Sequence, residues 1–278
     1  MKKFVFIDID GTLYDHNNHI VPPSAIEALR RAKDNGHELF ICTGRPKPVV
    51  ESSYLKLPIS GAVFAGGTHI EVDGKVIYQG QFPYEQIEAI VKYMKSHDIE
   101  FTLEGVHRNY YTDWTYDYFK TYFCDQEGAD LEMIRKFEER RVICDYEDYT
   151  SEDAAQVAKI DLFALDNDEI REYMKTLPEN VEGFLYTSPI GDRIEGEILI
   201  QGVSKASGID KVIQYFGGKL EDTIAIGDST NDLPMIEHAA LSIAMGNACD
   251  PLKEAADYVS ADVSEDGLAQ AFKYAGLI

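Results

Sequence analysis

Residues 3–8, KFVFID, form a short apolar run ending in a carboxylate, the pattern of a strand buried on both faces of a parallel sheet. Such a strand carries Asp8 to its carboxyl end. A crossover helix is predicted next, because Ser24 and Glu27 make a capping-box pair and Ile26, Leu29 and Ala32 recur at roughly helical spacing before Gly36. Residues 38–43, ELFICT, read as a second buried strand and complete a βαβ unit ending in Thr43-Gly44-Arg45. Strands are also predicted at 61–64 and 69–79, the latter folded into a hairpin by Asp73-Gly74.

From about Pro83 the pattern changes. Ile87, Ile90, Val91 and Met94 outline an amphipathic helix, followed by a strand at 99–103 and an aromatic, acidic stretch from Tyr110 to Phe119. A strand at 160–165, a helix near 168–177 and a strand at 181–187 complete this middle region. After Gly191 the earlier style returns, with Ser204 capping a helix whose Ile209, Val212, Ile213 and Phe216 share a face and which Gly217-Gly218 stops. Buried strands are predicted at 223–227, ending at Asp228, and at 241–244. The expected fold is α/β: a discontinuous Rossmann-like parallel-sheet core of residues 1–82 and 190–278, interrupted by an α+β cap of residues 83–189.

Composition narrows the function. With 49 acidic and 26 basic side chains the net charge is −23, which repels nucleic acid and anionic membrane surfaces. The same charge opposes a phosphorylated small-molecule substrate unless a bound cation reverses the field locally, and this points to a metal. The four cysteines are scattered and expected to be reduced and buried. The opening apolar run ends after four residues and no stretch of about 18 apolar residues occurs, so neither a targeting segment nor a membrane span is expected and the default location is the cytoplasm.

Candidate chemistry gathers at predicted strand and helix ends. Asp8-Ile9-Asp10-Gly11-Thr12-Leu13 places two carboxylates two residues apart where open α/β sheets bind ligands. One carboxylate can attack phosphorus while the other handles a proton. Thr43 with the next amide can bond a phosphoryl oxygen, and Lys205, in the first turn of its helix, can neutralise phosphoryl charge. Gly227-Asp228-Ser229-Thr230-Asn231-Asp232 sets two more acids after a buried strand, and oxygen ligands in this number suit Mg2+. None of the seven histidines falls in a metal-ligand spacing. The aromatic stretch reads as cap core, with Trp114 and its neighbouring tyrosines as the place to look for sugar stacking.

DIDGTL at 8–13, TGR at 43–45, GVSK at 202–205 and GDSTNDLPMI at 227–236, in that order along the chain, resemble the haloacid dehalogenase-like phosphatases, and among them the Cof-type sugar-phosphate phosphatases. The resemblance implies a Mg2+-dependent phosphatase of small phosphate monoesters, sugar phosphates foremost, acting through an aspartyl phosphate. It implies Asp8 as nucleophile and metal ligand, and Asp10 as acid/base that lends its backbone carbonyl to the metal. It implies Asp228 as a direct ligand, and Asp232 as a ligand or a support acting through water. Thr43 and Lys205 would grip the phosphoryl group, with Gly44 as a further phosphate contact, Asn231 holding phosphate or Lys205 in place, and Arg45 touching substrate or standing behind the groups that do. The chain departs from the family where an Asn-Gly-Ala stretch is common: it has Ala65-Gly66-Gly67-Thr68, without the side-chain amide. A phosphosugar mutase that returns the phosphoryl group to its substrate is the alternative, and a non-catalytic regulator binding Mg2+ and a phosphometabolite is a second.

Overall fold

The structure is a computed structural model that describes residues 2–125, 129, 131–165, 167–190 and 192–278, with the backbone alone at 187–190. It divides into two compact units, one of residues 1–45, 52–78 and 203–278, the other of 46–51 and 79–202.

The first unit begins with β1 (Phe4–Ile7), α1 (Pro23–Asp34) and β2 (Glu38–Cys42), followed by β3 (Gly61–Phe64), β4 (His69–Val72) and β5 (Lys75–Gln79). Asp73 and Gly74 both have positive φ, 48° and 72°, which gives the tight β4–β5 turn the right-handed twist of its strands. The second unit contains α2 (Tyr84–Ser96), β6 (Glu100–Gly105), β7 (Asn109–Tyr111), α3 (Asp113–Cys124), α4 (Leu131–Glu139), β8 (Ile143–Asp145), β9 (Val157–Leu165), α5 (Asp168–Lys175), β10 (Val181–Ile190) and β11 (Arg193–Ile200). The chain then returns with α6 (Lys205–Phe216), β12 (Thr223–Gly227), α7 (Leu233–His238), β13 (Leu241–Ala244), α8 (Asp250–Ala255), β14 (Tyr258–Val259) and α9 (Gly267–Tyr274).

The first unit is built on an eight-stranded sheet of order β14-β13-β12-β1-β2-β3-β4-β5. The six strands from β14 to β3 run parallel and β4 runs antiparallel to β3, and β1 lies between β12 and β2 with Phe4 opposite Thr223 and Glu38. All four β1 residues are buried, as a strand paired and covered on both sides must be. Phe4, Phe6, Phe40 and Cys42 pack with Ile209, Val212, Met235 and Leu252 of α6, α7 and α8. The alternate positions Val5, Ile7, Leu39 and Ile41 are equally buried on the opposite face. This is the expected α/β core.

Helix α1 departs from the expected capping. Pro22 is its N-cap and Pro23 its first residue, so Ser24 lies inside the helix and bonds Asp266 at 2.5 Å, while Glu27 pairs with Arg30. Its buried face is Ala25, Ala28, Leu29 and Ala32, and Ile26 is exposed. Helix α6 follows its signals: Ser204 accepts from the Ser207 amide and Gly217 ends the helix at φ 64°.

In the second unit a six-stranded sheet of order β10-β11-β9-β6-β7-β8 packs one face on α2 and α5, around Ile87, Met94, Phe101, Ile160, Leu162 and Ile198. A smaller cluster joins Tyr111, Met133, Phe137 and Ile143 to Val49, and Lys136 donates to the Val50 carbonyl at 3.0 Å. These contacts are why residues 46–51 group with the insertion. The unit also outruns the expected limits of 83 and 189: β11 pairs with β9 and β10, so its residues belong to the cap sheet rather than to the core. Gly191, where a return to the core was expected, lies outside the described residues. Cys42 and Cys144 are buried as expected, whereas Cys124 and Cys249 are only half-buried, and all four are free thiols.

Candidate active site

The site lies wholly within the first unit, at the carboxyl ends of its parallel strands. The Asp8 amide donates to Ile226 O at 3.0 Å, extending the β1–β12 ladder one residue and fixing the carboxylate at the centre of the sheet. The chain then turns sharply, with the Ile9 carbonyl accepting from the amides of Thr12, Leu13 and Tyr14. Gly11 makes the turn possible at φ 74°, and a Cβ there would stand 2.3 Å from Asp228 Oδ2.

Lys205 is the hub. Only 3% exposed, it donates to Asp8 Oδ1 at 2.7 Å, to Asp232 Oδ1 at 2.5 Å and to Asn231 Oδ1 at 3.3 Å. Ser204, the cap of α6, sets the lysine in the first turn, where its side chain reaches the strand ends. Burial alone would strip its proton, but the charges of Asp232 and Asp8 prevail and hold it protonated well above the usual lysine range. Asp232, with no exposure, also accepts from the amides of Asp228 and Ser229 at 3.0 and 3.1 Å and so shapes the acidic loop. Thr12 Oγ1 donates to Asp228 Oδ1 at 3.1 Å and ties the first motif to the fourth.

One ligand atom from each of Asp8, Asp228 and Asp232 lies within 4.8 Å of the others. Burial, then the negative charge of Asp232, pushes the Asp228 carboxyl up to about 7 and raises Asp8 well above the ordinary range despite Lys205. Three clustered oxygen donors, with burial and mutual repulsion raising the proton affinity of Asp8 and Asp228, fit a hard divalent cation, which relieves both.

Asp10 stands apart from this cluster. Arg45 grips its carboxylate from two nitrogens, at 2.8 Å to Oδ2 and 2.5 Å to Oδ1, and His16 Nε2 lies 2.8 Å from Oδ1. Burial pulls its pKa upward, but Arg45 and His16 outweigh it and hold the carboxyl well below the ordinary range. Asp10 is therefore ionised here, and Arg45, expected beside substrate or behind it, is bound to Asp10.

Thr43 is buried, and its Oγ1 accepts from the Arg45 amide at 3.1 Å. Gly44 adjoins Asn231, whose Nδ2 would lie 3.5 Å from a Cβ at Gly44, so the second and fourth motifs meet. After β3, the amides of Ala65 and Gly66 donate to the carbonyls of Arg45 and Thr43 at 2.9 and 3.0 Å. Both amides are thus spent on carbonyls of the loop at 43–45. Gly67, at φ 109°, lets this loop approach α6, since a Cβ there would meet Ser204 O at 2.3 Å.

The structure brings Asp8, Lys205, Asn231 and Asp232 into direct contact, sets Asp228 beside them, and leaves Asp10 and Arg45 as a separate pair. Thr12, His16 and Asn247 escaped the sequence reading. Thr12 sat inside a recognised motif without a role. Asn247, which donates to Gly11 O at 2.8 Å and accepts from the Val263 amide, and His16 carried no local signal.

Comparison with known proteins agrees with this geometry. The family model described as haloacid dehalogenase-like hydrolase matches residues 5–272. The protein YkrA of Bacillus subtilis is 32% identical over 279 residues, covering 100% of this chain and 99% of its own length. The 5-amino-6-(5-phospho-D-ribitylamino)uracil phosphatase YitU of the same organism is 27% identical over 97% of this chain and 96% of its own. Among solved structures, the HAD subclass IIB sugar phosphatase BT4131 is 31% identical with a TM-score of 0.76, and each chain is covered completely. No helix among the described residues is long and apolar enough to cross a membrane. With its four motifs gathered around the aspartate cluster and a family match over nearly its whole length, the chain belongs to the haloacid dehalogenase-like hydrolases, in their Cof-type branch, and is a Mg2+-dependent phosphatase.

Proposed function

We propose that the chain hydrolyses phosphorylated sugars and related polyol phosphates through an aspartyl phosphate on Asp8. The observation that carries this reading is the state of Asp8: its Oδ1 is held by Lys205, while its Oδ2 has no hydrogen-bond partner among the described residues. An oriented carboxylate with one free oxygen is what an in-line nucleophile requires.

In the first step Asp8 Oδ2 bonds to phosphorus, the ester P–O bond breaks, and the leaving oxygen takes a proton from Asp10. In the second, water attacks phosphorus, Asp10 takes its proton, and the Asp8–phosphorus bond breaks to release inorganic phosphate and restore Asp8. Asp10 must be protonated for the first step, so Arg45 has to release it, and a dianionic phosphate is a natural competitor for the guanidinium. Lys205 neutralises charge on Asp8 and on the phosphoryl oxygens, Thr43 and the Gly44 amide bond those oxygens, and Asn231 steadies Lys205. Asp8, Asp228, the Asp10 carbonyl and Asp232, directly or through water, would hold Mg2+, whose charge screens the phosphate from this acidic site.

Substrate choice is assigned to the inserted unit. The substrate class draws support from BT4131, described as a sugar phosphatase, and from YitU, whose named substrate carries a phosphorylated ribityl chain.

Phosphate release from a panel of phosphorylated sugars, nucleotides and cofactors, with Mg2+ and with a chelator, tests the reading. Sugar and polyol phosphates should lead, and chelation should silence the enzyme reversibly. Asp8→Asn, nearly isosteric, should lose turnover by roughly a thousandfold or more while folding normally. Retention of more than about a tenth of wild-type turnover, with contaminating phosphatase ruled out, would end the covalent mechanism.

A further inference from the structure

The loop of residues 245–249, between β13 and α8, touches both acid-bearing segments of the site. Its Met245 amide donates to Gly227 O and its Cys249 amide to Asp228 O, each at 2.9 Å, so two backbone bonds bracket Asp228. On its far side the Gly246 amide donates to Ala261 O at 2.9 Å, and a Cβ at Gly246 would meet Asp262 N at 2.5 Å, an approach that only glycine allows. Backbone therefore fixes this loop against the fourth motif. Its hold on the first motif comes from a side chain. Asn247 Nδ2 donates to Gly11 O at 2.8 Å, while Asn247 Oδ1 accepts from the Val263 amide at 3.0 Å.

That bond governs the turn between the two motif carboxylates and Thr12. Gly11 sits at φ 74°, and glycine resists rotation less than any other residue, so the peptides on either side of it need an outside hold. The peptide before it has one, since the Gly11 amide donates to Tyr14 O at 3.0 Å. Peptide units are planar, and no cis bond occurs among the described residues, so the Asp10 carbonyl lies in that same plane and points the opposite way. The peptide after it is held by Asn247 at 2.8 Å and, more loosely, by the Thr12 amide on Ile9 O at 3.3 Å. Thr12 then carries its hydroxyl to Asp228 Oδ1 at 3.1 Å. Releasing Gly11 O would free ψ at the one residue that separates the Asp10 carbonyl from the Thr12–Asp228 contact.

Asn247 is exposed, so its bonds exchange readily with bonds to water and carry little of the fold's stability. Its position is the telling feature. An atom placed as a Cβ on Gly11 would stand 2.3 Å from Asp228 Oδ2 and 3.1 Å from Asn247 Nδ2, so the carboxylate and the amide meet over the same turn. Mg2+ demands near-ideal octahedral geometry, and groups that orient its ligands without touching the ion commonly set its affinity.

We propose that Asn247 is a positioning residue of the metal site: by holding Gly11 O it fixes the Asp10 carbonyl and, through Thr12, the Asp228 carboxylate at the spacing Mg2+ requires. It acts on the affinity for the ion rather than on the stability of the metal-free protein. The inference rests on the reading of the aspartate cluster as the Mg2+ site.

Titration calorimetry of Mg2+ into the metal-free protein measures this without substrate or turnover. Asn247→Ala should weaken Mg2+ binding about tenfold or more, the usual effect of removing a group that orients a metal ligand. The thermal midpoint of the metal-free protein should fall by no more than about 4 °C. A merely structural role would do the reverse, lowering the midpoint and leaving the affinity within about twofold of wild type, and that result overturns the proposal. Asn247→Asp keeps the acceptor for Val263 and removes only the donor to Gly11. Its added negative charge would by itself draw Mg2+ more tightly, so binding weaker than wild type is expected only if the grip on Gly11 matters. Binding as tight as wild type or tighter overturns the proposal, and this variant decides alone if Asn247→Ala does not fold. A wild-type protein that binds no Mg2+ strikes the metal reading and the proposal together, whereas wild-type binding that neither variant weakens strikes the proposal alone.

Discussion

Replacing Lys205 by methionine keeps an unbranched side chain of similar length and removes one positive charge from a site it shares with Asp8 and Asp232, 2.7 and 2.5 Å away. Both carboxylates are buried, at 4% and 0% exposure, so neither can recover the lost charge from water. Breaking a buried ion pair from one side costs about 3–5 kcal/mol, whereas a volume-conserving change of shape costs less than about 1.5. Electrostatics should therefore dominate, and at a denaturant sensitivity near 3 kcal/mol per molar the urea midpoint should fall by roughly 1–2 M. The measurement is metal-free urea unfolding at pH 8 followed by circular dichroism, with hydrogen exchange on peptides covering β1 and β12 to localise the loss. Burial has already raised the pKa of Asp8, and losing Lys205 raises it further, so the deficit should shrink as the pH falls and the carboxylates take up protons. Mg2+ should restore more stability to the variant than to the wild type, because it supplies the missing charge. A metal-free midpoint within about 0.3 M of wild type at pH 8 would refute the argument that these groups form one energetic unit.

Gly11→Ala should cost about 1–3 kcal/mol through its left-handed conformation and should also displace Asp228 from 2.3 Å, so Mg2+ affinity and kcat should fall together. An unchanged metal affinity would count against that placement. Because the folded pKa of Asp228 is raised to about 7, the group lowers metal-free stability as the pH rises from about 4 towards 7; Asp228→Asn should remove that part of the slope, stabilise the metal-free protein at pH 8 and abolish stabilisation by Mg2+, all readable by thermal unfolding. In the cap, Trp114→Ala should reorder kcat/KM among sugar phosphates far more than it changes para-nitrophenyl phosphate turnover. Tyr116→Phe should leave the order intact and only lower stability, because the Tyr116 hydroxyl is spent on Phe137 O at 3.1 Å inside the cap.

The sequence was most legible where one physical demand dominated. Strands β1, β3, β12 and β13 are apolar runs buried on both faces, α2 carries clean periodicity, and α6 adds a serine cap and a glycine stop, so these elements follow closely from pattern. Asp8, Lys205, Asp228 and Asp232 were readable for the same reason: each sits where such an element begins or ends. Strand β11 was not, because Arg193, Glu195 and Glu197 alternate with apolar residues as in a solvent-facing strand, and only its pairing with β9 shows which unit claims it. Residues 46–51 are too short and too rich in proline to announce a partner, and their place depends on side chains from α4. Helix α1 misled because a proline cap leaves no hydroxyl or carboxylate signature, while Ser24 and Glu27 imitate one. The Arg45–Asp10–His16 contact joins residues 35 and 6 positions apart in the chain, a relation that no local pattern encodes.

The pairing of β1 with β12 has a consequence for biosynthesis. Phe4 meets Thr223, so the strand leading to Asp8 leaves the ribosome long before its neighbour exists. Until then β1 and β2 expose an unpaired edge of apolar residues, the kind of surface that invites wrong pairings. The cap sheet, by contrast, is complete once Ile200 has emerged, and its strands find their partners within the insertion. Folding of residues 79–202 as a unit removes more than half of the chain separating β1 from β12 and eases loop closure by roughly 0.7 kcal/mol. The insertion therefore acts as an internal spacer that folds first. The nascent core needs shelter for the time it takes to synthesise that spacer, and mutations that slow cap folding should lower the yield of active enzyme even when they leave the finished molecule unchanged.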